Sequence, residues 1–165
     1  MSHGRTLIDP SSTALVIVDL QEKLVPAIQN AEMVVANVRN LLRLAKALSL
    51  KTLVTTQYRK GLGDTIPEVA ELLGATPLDK ICFGCLNDEP FRDELAKALP
   101  PGGTVLLAGV EAHICVMQTA LGALAAGYQV HVASDATGSR AAANADLGIQ
   151  RMRDAGNSTE KPLPP

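Results

Sequence analysis

Three residues of this 165-residue chain have the types needed for covalent chemistry at a carbonyl: Asp19, Lys80 and Cys115. Asp19 directly follows the apolar run Ala14-Leu-Val-Ile-Val18, Lys80 lies in a short strand-like segment, and Cys115 opens a helical stretch after a second apolar run, Thr104-Val-Leu-Leu-Ala108. If those segments are parallel strands, all three side chains emerge at the carboxyl edge of one sheet, where open α/β sheets bind their ligands. A thiol with an ordinary pKa of about 8.5 needs help to become a nucleophile at neutral pH. The expectation is that Lys80 and a helix N-terminus stabilise the thiolate, while Asp19 accepts its proton and returns it to a leaving group. The backbone N–H groups of Ile114 and Cys115 would face a carbonyl oxygen that gains negative charge during attack. That combination performs acyl transfer. Taken singly, each residue has a plainer reading: Asp19 as a helix cap or turn former, Lys80 as a solvated cation, and Cys115 as a small core residue.

The elements that must position these groups are legible as alternating strands and helices. Continuous apolar or β-branched runs predict strands over 14–18, 52–56, 78–82, 104–108 and 129–133. Helices are predicted over 32–48, from Pro67 onward for a short stretch, and over 91–99, 112–126 and 140–153. In the first of these, Val34, Val38, Leu41, Ala45 and Leu48 share one face, and Arg39, Arg43 and Lys46 lie away from it as a solvated stripe. Strand and helix alternate throughout, which is the pattern of an α/β protein with a parallel sheet. Residues 1–165 are read as one domain, with an ordered core over about 7–156 and a proline-rich tail over 157–165 that is poorly ordered or extended.

Composition narrows the functional classes. Hydrophobic residues make up 47% of the chain, enough for a buried core, and the formal charge of −2 gives no electrostatic footprint for nucleic acid or anionic lipid. Aromatic residues are only 2%, which argues against base-stacking platforms. The most apolar stretch, 105–127, is interrupted by Glu111, His113 and Gln118, so it is core and not a membrane span. No opening apolar run suits a signal peptide, and three cysteines fit free thiols in a reducing cytoplasm, the expected location.

Rival chemistries use the same thiols. Cys82-Phe-Gly-Cys85 is a C-x-x-C that raises a thiol redox pair or, with Cys115 and His113, a zinc site. Against zinc, a second C-x-x-C is missing and His113 and Cys115 fall on different helical faces. Against redox catalysis, Asn87 to Pro90 separate the pair from the next helix. Nucleotide binding through Gly61-Leu-Gly63 lacks the third glycine and the strand–turn–helix context. His3 and His131 have no partner pattern and read as structural or solvated.

At the reactive positions the sequence resembles the isochorismatase-like cysteine hydrolases, closest to the isochorismatase-domain-containing proteins. The matching segments are Ala14-Leu-Val-Ile-Val-Asp-Leu-Gln21, Thr56-Gln-Tyr58 with Gly61-Leu-Gly63 and Pro67-Glu68, Lys80-Ile-Cys-Phe83, Gly109-Val-Glu-Ala-His-Ile-Cys115-Val116, Gly127-Tyr-Gln-Val-His-Val132 and Asp135-Ala136. The resemblance covers about 14–156 and implies a doubly wound, Rossmann-like fold with helices on both faces of a mostly parallel sheet. It implies Cys115 as nucleophile, Asp19 as general base and acid, Lys80 as the group that orients and polarises, and a cis peptide between Val110 and Glu111. It also places Gln21, Tyr58 and Phe83 in pocket-lining segments, each with a packing alternative. The family's metal-binding nicotinamidases carry an Asp-x-His pair and a further His after the second strand, but 57–65 here holds no His and only Asp64, so no catalytic metal and no other cofactor is expected. Family members usually continue beyond the last helix into another strand and helix, which leaves the final sheet edge open here and suited to cover by a neighbouring subunit. The expected activity is hydrolysis of a small, planar amide or related acyl compound through a thioester on Cys115. Family members that cleave vinyl ethers need no thiol, so the cysteine favours C–N bonds. A homodimer or larger symmetric assembly is the expected state.

Overall fold

The computed structural model describes residues 7–156 and 158–160. Its sheet has six parallel strands: β1 (Thr13–Val18), β2 (Lys51–Gln57), β3 (Leu78–Lys80), β4 (Thr104–Val110), β5 (Gln129–Gly138) and β6 (Ser158–Glu160), in the order β3-β2-β1-β4-β5-β6. The chain builds outward from β1 through β2 to β3, then returns to lay β4 on the other side of β1. The carboxyl ends of β1 and β4 therefore flank the point where strand order reverses. Every residue of β1 and β4 is buried, which explains why both read as unbroken apolar runs.

Helices cover both faces. Leu15 and Ile17 of β1 pack with Val34, Val38, Leu42 and Ala45 of α1 (Ala31–Ala47), beyond which lie the short α2 (Arg59–Leu62) and α3 (Pro67–Ala70). Val16 and Val18 pack on the opposite side with Phe91 and Leu95 of α4 (Glu89–Ala98), Ala120 and Ala123 of α5 (Met117–Ala125), and Met152 of α6 (Ala142–Asp154). The buried stripe of α1 includes Leu42, with Leu41 half-buried against the same cluster; Leu48 caps the helix and is 46% exposed. Among the described residues no helix is long and apolar enough to cross a membrane.

The structure departs from the sequence reading in four places. β3 ends at Lys80 instead of residue 82, because the carbonyls of Ile81 and Cys82 are taken by the side chains of Gln57 and Lys80 and not by a strand ladder. The helix expected over 112–126 opens as a π turn, Ala112–Val116, in which the Glu111 carbonyl accepts from both Ile114 N (3.1 Å) and Val116 N (3.2 Å). β5 runs on to Gly138 through an irregularity, its pairing with β4 jumping from Leu107↔Val132 to Gly109↔Thr137. Within the tail, 158–160 form β6 beside His131–Ala133 and add one short edge strand to the sheet; the remainder of the tail expectation, at 157 and 161–165, lies outside the described residues.

Two glycines allow the approaches on which this architecture depends. Gly109, at φ +117°, lies so close to β1 that a Cβ there would stand 2.1 Å from the Val18 carbonyl oxygen. Gly148 of α6 lies against the π turn, where a Cβ would meet the Ala112 carbonyl oxygen and the His113 backbone at 2.8 Å. Because those contacts are backbone atoms, Gly148→Val should destabilise the protein by roughly 2 kcal/mol or more in urea unfolding. Gly74→Ala, where a Cβ meets nothing within 4 Å, should change stability by less than about 1 kcal/mol.

Candidate active site

Asp19 is the first residue past β1, at φ +53°, and is fully buried. One carboxylate oxygen, Oδ1, accepts the Thr55 hydroxyl at 2.7 Å, and the other, Oδ2, accepts Lys80 Nζ at 2.8 Å. Lys80, at the end of β3, also donates from Nζ to Gln57 Oε1 at 2.7 Å and to the Cys82 carbonyl at 3.3 Å, which occupies all three ammonium hydrogens. Burial opposes the charge on Lys80, but the Asp19 carboxylate and the nearby Cys85 and Cys115 sulfurs outweigh it and raise its pKa above that of an ordinary lysine.

Cys115 sits in the π turn against this pair, 7% exposed. Burial first, then the negative charge and hydrogen bonding of Asp19, push its thiol up to about 12, while Lys80 pulls the other way without prevailing. Lys80 therefore stabilises the thiolate less than the sequence reading expects. The positive charge of Lys80 is already neutralised by Asp19 at 2.8 Å, so the sulfur faces a nearly balanced ion pair from inside a poorly solvated site. Cys115 rests as a thiol beside a carboxylate able to take its proton.

The structure places the other sequence-derived residues unequally. The Val110–Glu111 peptide is cis, and Glu111, 5% exposed, is held by Arg140 through Oε1 (3.0 Å from Nε, 2.8 Å from Nη2) and through Oε2 (3.1 Å from the backbone N). The N–H of Ile114, expected to face substrate, instead donates within the π turn to Glu111. Gln21 is also corrected: it is wholly buried, its Nε2 donates to the carbonyls of Gln57 (3.1 Å) and Gly63 (2.8 Å), and its Oε1 accepts Gln57 N (2.7 Å). It braces the loop after β2 and presents no polar group to a ligand. Tyr58 and Phe83, by contrast, are about half exposed, with Tyr58 N donating to the Lys80 carbonyl at 2.8 Å.

Gln57 and Thr55 were missed as site residues. Both lie buried at the carboxyl end of β2 and touch the ion pair directly. The signal was available, since polar residues closing an otherwise apolar parallel strand stand where ligands bind.

The three cysteines are free thiols. Cys85 is fully buried and also pushed up to about 12, chiefly by burial, with its sulfur 4.0 Å from the Thr55 hydroxyl. His113 Nδ1 lies 2.9 Å from Ser139 Oγ, and among the described residues no three His, Cys, Asp or Glu side chains gather as a metal site requires. Two cavities, of about 670 and 470 Å³, occur elsewhere, and neither is lined by Asp19, Lys80 or Cys115.

Comparison with known proteins assigns the fold. The Isochorismatase domain pattern matches residues 13–160. The chain belongs to the isochorismatase family. Isochorismatase domain-containing protein 2 of Pongo abelii is 38% identical over 155 residues, covering 94% of this chain and 73% of that protein. MAR1 ribonuclease from Caenorhabditis elegans superposes with a TM-score of 0.85 at 38% identity, covering 93% of this chain and 78% of its own. YcaC from Pseudomonas aeruginosa, in a structure with hexane-2,5-diol and covalent acrylamide, gives 0.89 at 26% identity, covering 96% and 80%. Membership of the isochorismatase family makes the chain a hydrolase with the doubly wound α/β fold derived above.

The raised thiol pKa has a measurable sign. Alkylation at Cys115 by iodoacetamide, read by peptide mass, should rise about tenfold per pH unit through about pH 9 without a plateau. Asp19→Asn removes a charge that raises the pKa, so its plateau should move to lower pH. A plateau near neutral pH in the wild type would contradict the assignment.

Proposed function

We propose that this isochorismatase-family hydrolase cleaves the C–N bond of a small amide through a thioester on Cys115. The observation that carries the reading is a protonated thiol set against a buried carboxylate that Lys80 holds in place. As sulfur adds to the substrate carbonyl carbon, Asp19 takes the thiol proton, and the carbonyl π pair moves to oxygen. The Cys115 N–H is the backbone donor assigned to that oxygen, since the Ile114 N–H is already engaged. Collapse breaks the C–N bond, and Asp19 returns the proton to nitrogen, releasing ammonia or an amine. Water then adds to the thioester, giving one proton to Asp19, and the acid leaves as Asp19 reprotonates sulfur. Lys80 keeps one orientation of the carboxylate through both half-reactions.

Tyr58 and Phe83, in the segments that flank the Lys80 strand in sequence and pairing, offer exposed flat apolar surfaces, which suits a planar acyl group. Ile81, 71% exposed, adds a third exposed apolar side chain in these two segments, which suits cover by a second copy of the chain. The covalent acrylamide in the YcaC neighbour is consistent with a reactive nucleophile on this fold. A second reading, nucleic-acid cleavage, is raised by the name of the C. elegans neighbour. It has less support, because the chain's formal charge is −2 and Arg140, beside the turn that bears Cys115, is paired with Glu111.

Intact-mass analysis during incubation with a panel of small amides tests the proposal. An acyl adduct on the wild type, absent from Cys115→Ala, together with ammonia release is the expected result. Asp19→Asn should lower kcat/KM by a factor of about one hundred or more. Amide hydrolysis that persists in Cys115→Ala, or RNA cleavage lost in that variant without any amide turnover, would overturn it.

A further inference from the structure

The basic stripe of α1 is solvated, but its members have different neighbours. Arg39 turns to Glu71 at 2.9 Å, whereas Arg43 and Lys46 join Lys51 around the 670 Å³ cavity. That cavity exists because β3 is short. β3 pairs only with Thr55–Gln57, which leaves Lys51 to Val54 without a strand on that side. The passing segment offers Gly74 and Ala75, too small to fill the gap, and a Cβ at Gly74 would meet nothing within 4 Å. Protein interiors are otherwise close-packed, and the volume falls in the range of about 300–1000 Å³ typical of ligand sites.

The walls and rim differ in chemistry. Leu42, Leu53, Leu72 and Leu78 supply aliphatic walls, and no aromatic side chain lines the cavity. Its two acids are already neutralised, Glu71 by Arg39 at 2.9 Å and Glu94 by Lys97 at 2.8 Å. Among the described residues neither Lys46 nor Lys51 has a carboxylate partner, and Arg43 only donates to Asn40 Oδ1 at 3.3 Å. The result is an open, mainly aliphatic groove whose uncompensated charge is positive.

We propose that this cavity binds a fatty-acid anion, with its hydrocarbon chain among the leucines and its carboxylate on Lys46 and Lys51, supported by Arg43. Burial of the chain supplies most of the affinity, and the cations select the head group. Its cationic end, at Lys51, lies at the opposite end of β2 from Gln57, about 20 Å away at roughly 3.3 Å per residue, while its Val54 and Leu78 walls stand three residues from Gln57 and two from Lys80.

Titrating the intact protein with decanoate below its micelle concentration, with leucine methyl groups observed by NMR, tests this. Saturable shifts confined to Leu42, Leu53, Leu72, Leu78 and their neighbours are expected. Affinity should fall about fivefold in the Lys46→Gln, Lys51→Gln double variant, and by a similar factor for 1-decanol with the wild type. Unsaturable shifts spread over other leucines, or equal affinities for decanoate and decanol, would mean non-specific partitioning and would overturn the proposal. So would undiminished decanoate binding in the double variant.

Discussion

The ion pair between Lys80 and Asp19 is the constraint around which the site is organised. Both groups are withdrawn from water, at 1% and 0% side-chain exposure and 2.8 Å apart. Removing each charge from solvent costs several kcal/mol, and attraction offsets that only when the remaining donors and acceptors are also satisfied. Here they are. The third strand brings the ammonium, the second contributes Gln57 and Thr55, and the first ends on the carboxylate, so the pair can exist only if three strands finish at the same level. Such a pair does little for overall stability, but it fixes one arrangement of the strand ends.

The same pair explains the behaviour of the sulfur. A solitary lysine beside a thiol would favour the thiolate, but a lysine already matched to a carboxylate leaves burial and the nearer negative charge to dominate. Cys115 is therefore a neutral thiol, which suits a buried site, with the Asp19 carboxylate beside it as the proton acceptor of the proposed mechanism. The π turn supports this arrangement: its carbonyl at Cys115 accepts the Thr119 hydroxyl at 2.7 Å, and that hydroxyl in turn accepts the Cys85 N–H at 3.0 Å, joining the turn to the segment that follows Lys80.

Much of this was legible in the sequence because strand periodicity and strand ends are local signals. The unbroken apolar runs ending at Val18 and Ala108 place Asp19 and Cys115 at one edge of the sheet, and the alternation of elements gives the fold class. What escaped is set by contacts between distant segments. Gln57 looked like part of a loop motif because its Lys80 partner is 23 residues away. Gln21 looked like a ligand contact because nothing nearby in sequence announces the backbone of 57 and 63 as its partners. The state of the thiol depends on how far Asp19 cancels Lys80, a distance that spacing along the chain does not specify. The strand at 158–160 has no apolar pattern because it is an edge strand of three residues.

A double-mutant cycle on Asp19 and Lys80 tests the central claim most directly. Urea unfolding of Asp19→Asn, Lys80→Met and the combined variant measures how strongly the two groups depend on each other. If the buried pair organises the site, each single change strands a polar or charged partner, and the combined variant should be more stable than the sum of the single effects predicts by about 2–3 kcal/mol. Additivity within about 0.5 kcal/mol would contradict the account.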